Sequence, residues 1–440
     1  MKRAAALLFL AFAACGRGDK EVVATGPRLA EKVLVFALDG ATWALMDPWM
    51  ESGRLPNFAR LVAEGTRADL GTLEPTVSPA IWTTIATGKL PSEHGITGFI
   101  GVPGLDMTTL PNTAMRRVKA FWNVLPDQGV TVGVLGWWVT WPAEAVGEGS
   151  YIVSDRVPYT RMEAAIDRET LTLEDTYPSD LIETLVPLVE RPDAIAPDVV
   201  QRFLSMGPEE MERYVVGQGY EMGKPLVEFK YAYQSDRSTM KMALTLAEER
   251  PVDVLSVYLT GIDTVSHLFW HFTFPEGYDV PQPMVDLFGE VIPRYYEVVD
   301  RYLGDLLREL GPETAVVVVS DHGFASTGEL PWSGGHVGLP GGPPPGVLLL
   351  AGPPFASGRR LDGVHVLDVL PTLLHLVGLP PAKDMPGKVV TEAFRSPGDL
   401  LPRLPSYEGV GTPRRAGDLP RDPDGDAARL ERLRSLGYLD

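Results

Sequence analysis

The sequence contains almost no cysteine, no long basic run and, after its first residues, no long hydrophobic run. Cys15 is the single cysteine among 440 residues, so the folded part of the chain lacks disulfide bonds. The formal net charge is −19 at pH 7, which argues against a nucleic-acid polymer as partner because phosphate contacts need clustered lysine and arginine. WWVTW, 137–141, is too short to span a bilayer and predicts aromatic packing in a core or pocket wall.

The first residues are typical of an export signal. MKRAAALLFLAFAACG has a Lys-Arg start, a short apolar stretch and small residues before Cys15. It resembles a bacterial lipoprotein signal, in which Cys15 would become the lipidated first residue of the mature protein. An ordinary signal peptide cleaved nearby is the alternative. We expect a signal peptide over 1–15 and a tether over 16–30, with the protein exported to the bacterial periplasm or cell envelope and anchored in a membrane through Cys15.

Three apolar runs end in an aspartate. VVVVSDHGF, 316–324, is a short β-branched run followed by Asp321 and His322, as expected for a strand buried on both faces of a parallel sheet. KVLVFALDG, 32–40, and DVLSVYLTGID, 253–263, repeat the pattern. Each aspartate alone could simply cap a helix. Three together predict a cluster at the carboxyl edge of the sheet, where open α/β sheets bind ligands.

Helical patterns alternate with these strands. LPNFARLVAEG, 55–65, and VIPRYYEVVDRYLGDLLRELG, 291–311, have amphipathic spacing, and HVLDVLPTLLHLVGLP, 365–380, indicates a late helix. The alternation predicts an α/β fold with a doubly wound, mostly parallel sheet sandwiched by helices. We expect the catalytic core over 31–100 and 251–395, an inserted cap or substrate region over 101–250, and a largely flexible tail over 396–440 with a short helix near its end.

Carboxylates and imidazoles are grouped near these strand ends. Asp263 and His267 are four residues apart and share one face if a helix begins there. Mixed imidazole and carboxylate ligation favours zinc or a similar transition metal. Six candidates are enough for two metals with three protein ligands each. The predicted metal ligands are Asp39, Asp263, His267, Asp321, His322 and His336.

A candidate nucleophile lies in EPTVSPAIWTTIATGKLPSEHGITGF, 74–99. The hydroxyl of Ser78 would ionise at neutral pH if a metal held it, although a serine before proline is more often a turn or a helix cap. Thr76, Thr83 and Thr84 are the alternative hydroxyls.

Taken in order, these motifs resemble the alkaline phosphatase superfamily, and within it the type I phosphodiesterase and nucleotide pyrophosphatase branch. The resemblance rests on LVFALDG, PTVSPAIWTTIATGKLPSEHGI, DTVSHLFWH, VVVVSDHGF and GGH, which span roughly 32–336. It implies an alkaline phosphatase-like fold and two divalent metal ions, expected to be zinc. It implies Ser78 as nucleophile and metal ligand together with Asp39, Asp321 and His322 at one ion. The other ion would take Asp263, His267 and His336.

One position departs from this resemblance. Phe99 stands where nucleotide pyrophosphatases have a phosphate-contacting asparagine, so another donor must hold the phosphate oxygen. The candidates for substrate binding are Lys89, Arg116, Arg117, Lys119 and Asn123.

The resemblance implies hydrolysis of a small phosphodiester or pyrophosphate through a phosphoserine intermediate. A phosphomonoesterase of the same superfamily is the alternative within the enzyme class. A lipid-anchored module that binds a phosphorylated glycan without turnover is the alternative outside it. A sulfatase is disfavoured because SPAI lacks that family's nucleophile motif, and a phosphoglycerate mutase is disfavoured by the export signal.

Overall fold

The structure is a computed structural model. It describes residues 25–100, 109–159, 174–191, 194–205, 207, 220–328, 334–336, 339, 341–412, 426, 429–431, 433 and 434. The predicted signal peptide, with Cys15, and positions 16–24 of the predicted tether lie outside the described residues.

A nine-stranded sheet forms the centre of the described chain, in the order β11-β2-β10-β7-β1-β6-β3-β4-β5. All neighbours from β7 to β4 in this order are parallel, and β10 and β5 run in the opposite direction. A separate antiparallel pair joins β8 to β9. The strands are β1 Val33–Leu38, β2 Thr66–Gly71, β3 Val132–Leu135, β4 Tyr151–Val153, β5 Thr176–Tyr177, β6 Val254–Leu259, β7 Ala315–Val319, β8 Ala325–Ser326, β9 Gly334–Gly335, β10 Gly346–Ala351 and β11 Arg359–His365.

Helices cover both faces of this sheet. Successive residues of β1 point into opposite cores. Leu34 and Phe36 pack with the helices over 261–273 and 291–310, whereas Val33 and Val35 pack with the helices over 78–87 and 369–376. No helix in the described ranges is long and apolar enough to cross a bilayer. The helices are α1 Trp43–Glu51, α2 Pro56–Glu64, α3 Ser78–Thr87, α4 Pro91–His94, α5 Phe121–Asp127, α6 Leu181–Leu185, α7 Pro197–Gln201, α8 Tyr220–Glu249, α9 Gly261–Thr273, α10 Gln282–Phe288, α11 Val291–Leu310 and α12 Val369–Leu376.

The predicted fold class is confirmed. The three runs that end in aspartate form β1, β6 and β7, which are adjacent and parallel. The amphipathic segments form α2 and α11, and the late helix is α12. The sheet is therefore doubly wound and mostly parallel, as the alternation of strands and helices predicts.

Three features of the structure bear on the predicted division of the chain. The range 101–250 supplies β3, β4 and β5 to the central sheet, so only part of it can form a cap. The end of the predicted tether packs on the core, since the N–H of Leu29 donates to the carbonyl of Leu376 at 2.9 Å. Within the predicted flexible tail, Tyr407 is buried and donates to the carbonyl of Pro380 at 2.7 Å.

Candidate active site

The predicted site residues converge at the carboxyl edge of the sheet. Asp39 follows β1, Asp321 follows β7, and Asp263 lies in the first turn of α9, directly after β6. These segments approach so closely that a Cβ on Gly40, at φ 70°, would lie 2.9 Å from Cβ of Asp263. Glycine at position 40 thus allows the close approach and the left-handed turn that aims Asp39 at the others.

One carboxylate oxygen of Asp39 is held by hydrogen bonds, and the other faces the site. Its Oδ2 accepts hydrogen bonds from Trp82 Nε1 at 3.3 Å and from the hydroxyl of Tyr258. Its Oδ1 lies 3.3 Å from Nε2 of His322. Burial raises the pKa of Asp39. The hydrogen bond and positive charge of His322, together with the hydrogen bond from Tyr258, outweigh the effect of burial, so the pKa of Asp39 is lowered.

Ser78 is the first residue of α3 and is buried. Its Oγ donates to Asp39 Oδ1 at 3.4 Å and lies 3.3 Å from Nε2 of His322. The positive end of the helix dipole favours negative charge at this position, whether an alkoxide or an attached phosphoryl group. Thr83 and Thr84, two of the alternative hydroxyls, instead contact the carbonyl of Pro79 and Nε2 of His94. Among these three hydroxyls, Ser78 is the one in contact with the predicted metal ligands.

His322 presents Nε2 to the carboxylates in a fixed orientation. Its Nδ1 lies 3.0 Å from the carbonyl oxygen of Gly323, which can only accept, so Nδ1 carries a proton. Nε2 faces Asp39 and Asp321, the latter 3.4 Å away, and carries the second proton of the charged imidazole. Burial lowers the pKa of His322, but Asp321 and Asp39 outweigh it and raise the pKa to about 9.

The second group contains Asp263, His267 and His336. Oδ1 of Asp263 lies 3.6 Å from Nε2 of His267 and 3.8 Å from Nε2 of His336, and all three residues are buried. Burial and the charge of His322 lower the pKa of His267 to about 3. Burial and the charge of Asp39 raise the pKa of Asp263. Burial and the charges of His322 and His267 also lower the pKa of His336. The imidazoles of His267 and His336 are therefore neutral, the form in which imidazoles bind metals.

This arrangement fits divalent metals. Two ligand atoms bound at roughly 2.0–2.2 Å to a tetrahedral ion lie about 3.4 Å apart, close to the separations above. Oδ1 of Asp263 is buried and has no hydrogen-bond partner among the residues that the structure describes. Three buried carboxylates close together are costly without a nearby positive charge. Two overlapping groups have the geometry to hold an ion: Asp263, His267 and His336, and Asp39, Asp263 and His322. Asp263 is common to both, and Asp321 adjoins the second through His322.

A cavity of about 80 Å³ opens over Ser78. It is far smaller than the roughly 300–1,000 Å³ of pockets that enclose drug-sized ligands. Phe99, Leu110 and Trp138 form an apolar wall, and Arg429 and Leu433 reach the cavity from the end of the chain. The cavity can therefore take a phosphoryl group with a small part of its alcohol. The predicted role of 137–141 in a core or pocket wall is confirmed by Trp137, which is fully buried, and by Trp138.

The residues predicted to bind substrate are held elsewhere. Lys89 pairs with Asp384 at 2.8 Å and Glu408 at 3.1 Å. Lys119 pairs with Asp127 at 3.0 Å.

Arg116 pairs with Glu144 and donates to Asn123 Oδ1 at 3.1 Å, and Arg117 is exposed beside Gly95. None of the five candidates is among the described residues that line the cavity. Contact of these side chains with substrate stays a prediction. The partners that they have in the structure do not support it.

Tyr258 and Trp138 are functional candidates that the sequence reasoning missed. Trp138 Nε1 donates to the hydroxyl of Tyr258 at 2.7 Å, and that hydroxyl donates to Asp39. Such outer partners fix the orientation of a metal ligand. The signal in the sequence was the polar ring of Tyr258 near the end of the mostly aliphatic strand β6.

The sequence matches one family model and a short part of some curated proteins. The family model "Type I phosphodiesterase / nucleotide pyrophosphatase" matches residues 33–331, about two thirds of the chain. A 2,3-bisphosphoglycerate-independent phosphoglycerate mutase from Cereibacter sphaeroides is 40% identical over 101 residues, 22% of this chain and 19% of the mutase. The same enzyme from another strain is 36% identical over 99 residues, again 22% of this chain and 19% of the mutase. The match thus spans about a fifth of these relatives' length.

Solved structures with a similar arrangement are distant in sequence. Phosphonoacetate hydrolase from Sinorhizobium meliloti 1021, in complex with phosphonoformate, has a TM-score of 0.43 and 19% identity, covering 70% of this chain and 61% of that chain. BT4656, in complex with D-glucosamine-2-N,6-O-disulfate, has a TM-score of 0.44 and 16% identity, covering 84% of this chain and 81% of that chain.

Proposed function

Because this chain belongs to the type I phosphodiesterase / nucleotide pyrophosphatase family, we propose that it is a metal-dependent hydrolase of phosphate diesters or pyrophosphates with Ser78 as its nucleophile. The observation that carries the proposal is the position of Ser78 Oγ. It lies at the start of a helix, 3.3 Å from His322 and 3.4 Å from Asp39, and Ser78 lines the cavity. A nucleophile beside candidate metal ligands and an accessible cavity fits phosphoryl transfer.

The fit of the site supports divalent metal ions as cofactors, and we propose two zinc ions. Asp263, His267 and His336 would hold one ion, and Asp39, Asp321 and His322 the other together with Ser78. When bound, such ions stabilise the serine alkoxide and the negative charge on the leaving oxygen.

Side chains and a helix of this protein orient the two steps of the reaction, which are formation and hydrolysis of the phosphoserine. Asp39 Oδ1 accepts the hydrogen bond of Ser78 and so aims Oγ at the cavity. Oγ gives up its proton and attacks phosphorus, and a bond forms between them. The bond from phosphorus to the leaving alcohol oxygen breaks, and that oxygen takes up a proton so that the alcohol departs neutral. Water then attacks the phosphoserine, the bond from phosphorus to Oγ breaks, and a proton from water restores the hydroxyl. The start of α3 stabilises the charged phosphoserine between the steps.

The test is turnover of bis(p-nitrophenyl) phosphate by the zinc-supplied protein, with bound metal measured by elemental analysis. We expect about two zinc ions per chain and release of p-nitrophenol. Ser78→Ala should abolish turnover and retain bound zinc, whereas Ser78→Thr, which keeps the hydroxyl, should retain part of the activity. Equal turnover by the wild type and Ser78→Ala would refute the role of Ser78. No bound metal after zinc is supplied would refute the ligand set.

A phosphomonoesterase is the second candidate. The small cavity and the presence of Arg429 in its lining favour a compact dianionic group, which needs a cation close by. Turnover of p-nitrophenyl phosphate against the bis-ester under identical conditions separates the two. A binding module for phosphorylated glycans would bind inorganic phosphate and turn over neither ester.

We also propose that the protein is exported and anchored by a lipid at Cys15. The support is the Lys-Arg start, the short apolar stretch and the small residues before Cys15. Expression of the wild type and Cys15→Ser in a bacterium, followed by fractionation and mass spectrometry of the amino terminus, tests this. A soluble wild type with an unmodified cysteine would refute it.

A further inference from the structure

The end of the chain forms part of the cavity wall. The described residues between 426 and 434 are helical, and Arg429 and Leu433 line the cavity. Asp426, Arg429, Leu430 and Leu433 recur at helical spacing, with Asp426 and Leu430 buried. They share one face of a helix, and Arg434 is exposed. The described residues of this range therefore pack a defined face on the catalytic core.

A buried ion pair fixes this segment. Arg156 Nη2 lies 2.6 Å from Asp426 Oδ1, and the two residues are only 6% and 3% exposed. The guanidinium of Arg156 also stacks on Trp141, with its Cζ 3.4 Å from the ring centre. Planar guanidinium groups favour such combined stacking and pairing. Because Arg429 lies one turn from Asp426, the pair also sets the position of Arg429.

Arg429 is the only cation among the described residues that line the cavity. It donates a hydrogen bond to the backbone carbonyl of Asp155, another lining residue. A guanidinium carries five N–H donors in a fixed plane, so contact with this carbonyl is compatible with contact to phosphate oxygens. Bidentate geometry of this kind suits phosphate better than a lysine does.

Phe99 and Trp138 form an apolar part of the cavity wall. Phe99 occupies the position at which the family resemblance implies an asparagine, and it packs against Trp138 with ring centres 6.0 Å apart. Lys89, Arg116 and Lys119 are paired with carboxylates away from the cavity. Among the described residues that line the cavity, a cationic donor to the phosphate is found in Arg429.

We infer that Arg429 binds the non-bridging oxygens of the substrate's phosphate. Leu433 faces the same space as Phe99 and Trp138, so the alcohol next to the phosphate is apolar or aromatic. This inference rests on the proposed function and names a residue of that same site.

The test uses the full-length, zinc-supplied protein with inorganic phosphate as probe. Phosphate affinity is measured by calorimetry and as competitive inhibition of bis(p-nitrophenyl) phosphate turnover, for the wild type, Arg429→Met and Arg429→Lys. Arg434→Met is the matched control, since it removes an exposed arginine from the same segment. We expect Arg429→Met to weaken phosphate binding and lower kcat/KM by about 10- to 100-fold, the usual effect of losing a hydrogen bond to a charged group. Arg429→Lys should recover part of both, and Arg434→Met should match the wild type.

Thermal unfolding of each variant separates binding from folding. Unchanged phosphate affinity in Arg429→Met overturns the inference, whether or not its melting temperature falls. Equal losses in Arg429→Met and Arg434→Met also overturn it. The calorimetric result does not need turnover: a wild type that binds phosphate through Arg429 but hydrolyses no ester refutes the proposed function and supports the inference. A wild type that neither binds phosphate nor hydrolyses an ester overturns both.

Discussion

His94 links the acid stability of the protein to the helix that carries Ser78. It is fully buried at the end of α4, where its Nδ1 accepts a hydrogen bond from the N–H of Ile96 at 3.2 Å. Nε2 then carries the proton and donates to Thr84 Oγ1, 3.0 Å away in α3. Burial and the positive charge of Arg116 lower the pKa of His94 from 6.5 to about 3. The neutral imidazole is therefore part of the packing that holds α3.

Because the pKa of His94 is lowered by folding, acid destabilises the folded protein. Below pH 6.5 the unfolded chain binds a proton at His94, whereas the folded protein binds one only near pH 3. The contribution to stability is complete above pH 6.5 and falls progressively as the pH approaches 3. One pKa unit corresponds to about 1.4 kcal/mol, so the free energy of unfolding should fall by about 2 kcal/mol by pH 5 on account of His94 alone.

The assay compares urea unfolding of the wild type and His94→Asn between pH 7.5 and 5. The asparagine carbonyl can replace Nδ1 as acceptor, so we expect a loss of about 1–2 kcal/mol at pH 7.5 from the missing bond to Thr84. At pH 5 the difference in unfolding free energy between the two proteins should be smaller by about 2 kcal/mol, because only the wild type loses the stability that depends on neutral His94. Other titrating groups are common to both proteins and cancel in the difference. A gap that stays constant or widens towards pH 5 would refute the reasoning.

Three further predictions concern the site and its support. Tyr258→Phe removes the hydroxyl that orients Asp39 and should weaken zinc affinity about 10- to 100-fold, measured by competition with a chelator; unchanged affinity would show that Trp82 suffices. In Gly261→Ala the new Cβ would lie 1.8 Å from the hydroxyl of Tyr295, so urea unfolding should show a loss of about 1–3 kcal/mol. Gly409→Ala, with no atom within 4 Å, is its control, and equal stabilities would contradict the packing argument. Removal of zinc by a chelator should lower the melting temperature and abolish turnover together, and a melting temperature independent of zinc would argue against the site.

The convergence of the acidic residues was predictable from local sequence. Each aspartate follows a β-branched or aliphatic run, and such runs form buried parallel strands whose carboxyl ends meet. The structure places Asp39, Asp263 and Asp321 in this way. The four-residue spacing from Asp263 to His267 likewise became one face of α9, because the helix begins at Gly261. Periodicity carries this information without knowledge of the tertiary structure.

The outer strands were not predictable in the same way. β2 alternates buried and half-buried residues over only six positions and pairs with β10, far away in the chain. β3 and β4 are four and three residues long and lie in a region rich in proline and tryptophan. Strands this short have too few residues for a clear pattern, and their pairing depends on distant partners. The region over 101–250 therefore resembled an insertion.

The role of the last residues was also hidden from local reasoning. Proline, glycine and charged residues over 396–440 suggested little order, and the short helix expected near the end matches the helical residues between 426 and 434. The contact that fixes this helix joins Asp426 to Arg156, 270 positions earlier. No periodicity can identify a partner at such a distance, so the contribution of Arg429 to the cavity required the structure.

The described chain enters the sheet at the edge opposite the cavity. The carbonyl of Lys32 accepts from the N–H of Ala315 at 2.9 Å, and the N–H of Val33 donates to the carbonyl of Asp253 at 2.8 Å, both at the amino ends of strands. The six residues of β1 then span about 20 Å before Asp39 is reached. If the proposed lipid at Cys15 anchors the protein, we expect this edge to face the membrane and the cavity to face open water. Phosphate esters that diffuse past the surface would then reach Ser78 more readily than headgroups in the same bilayer.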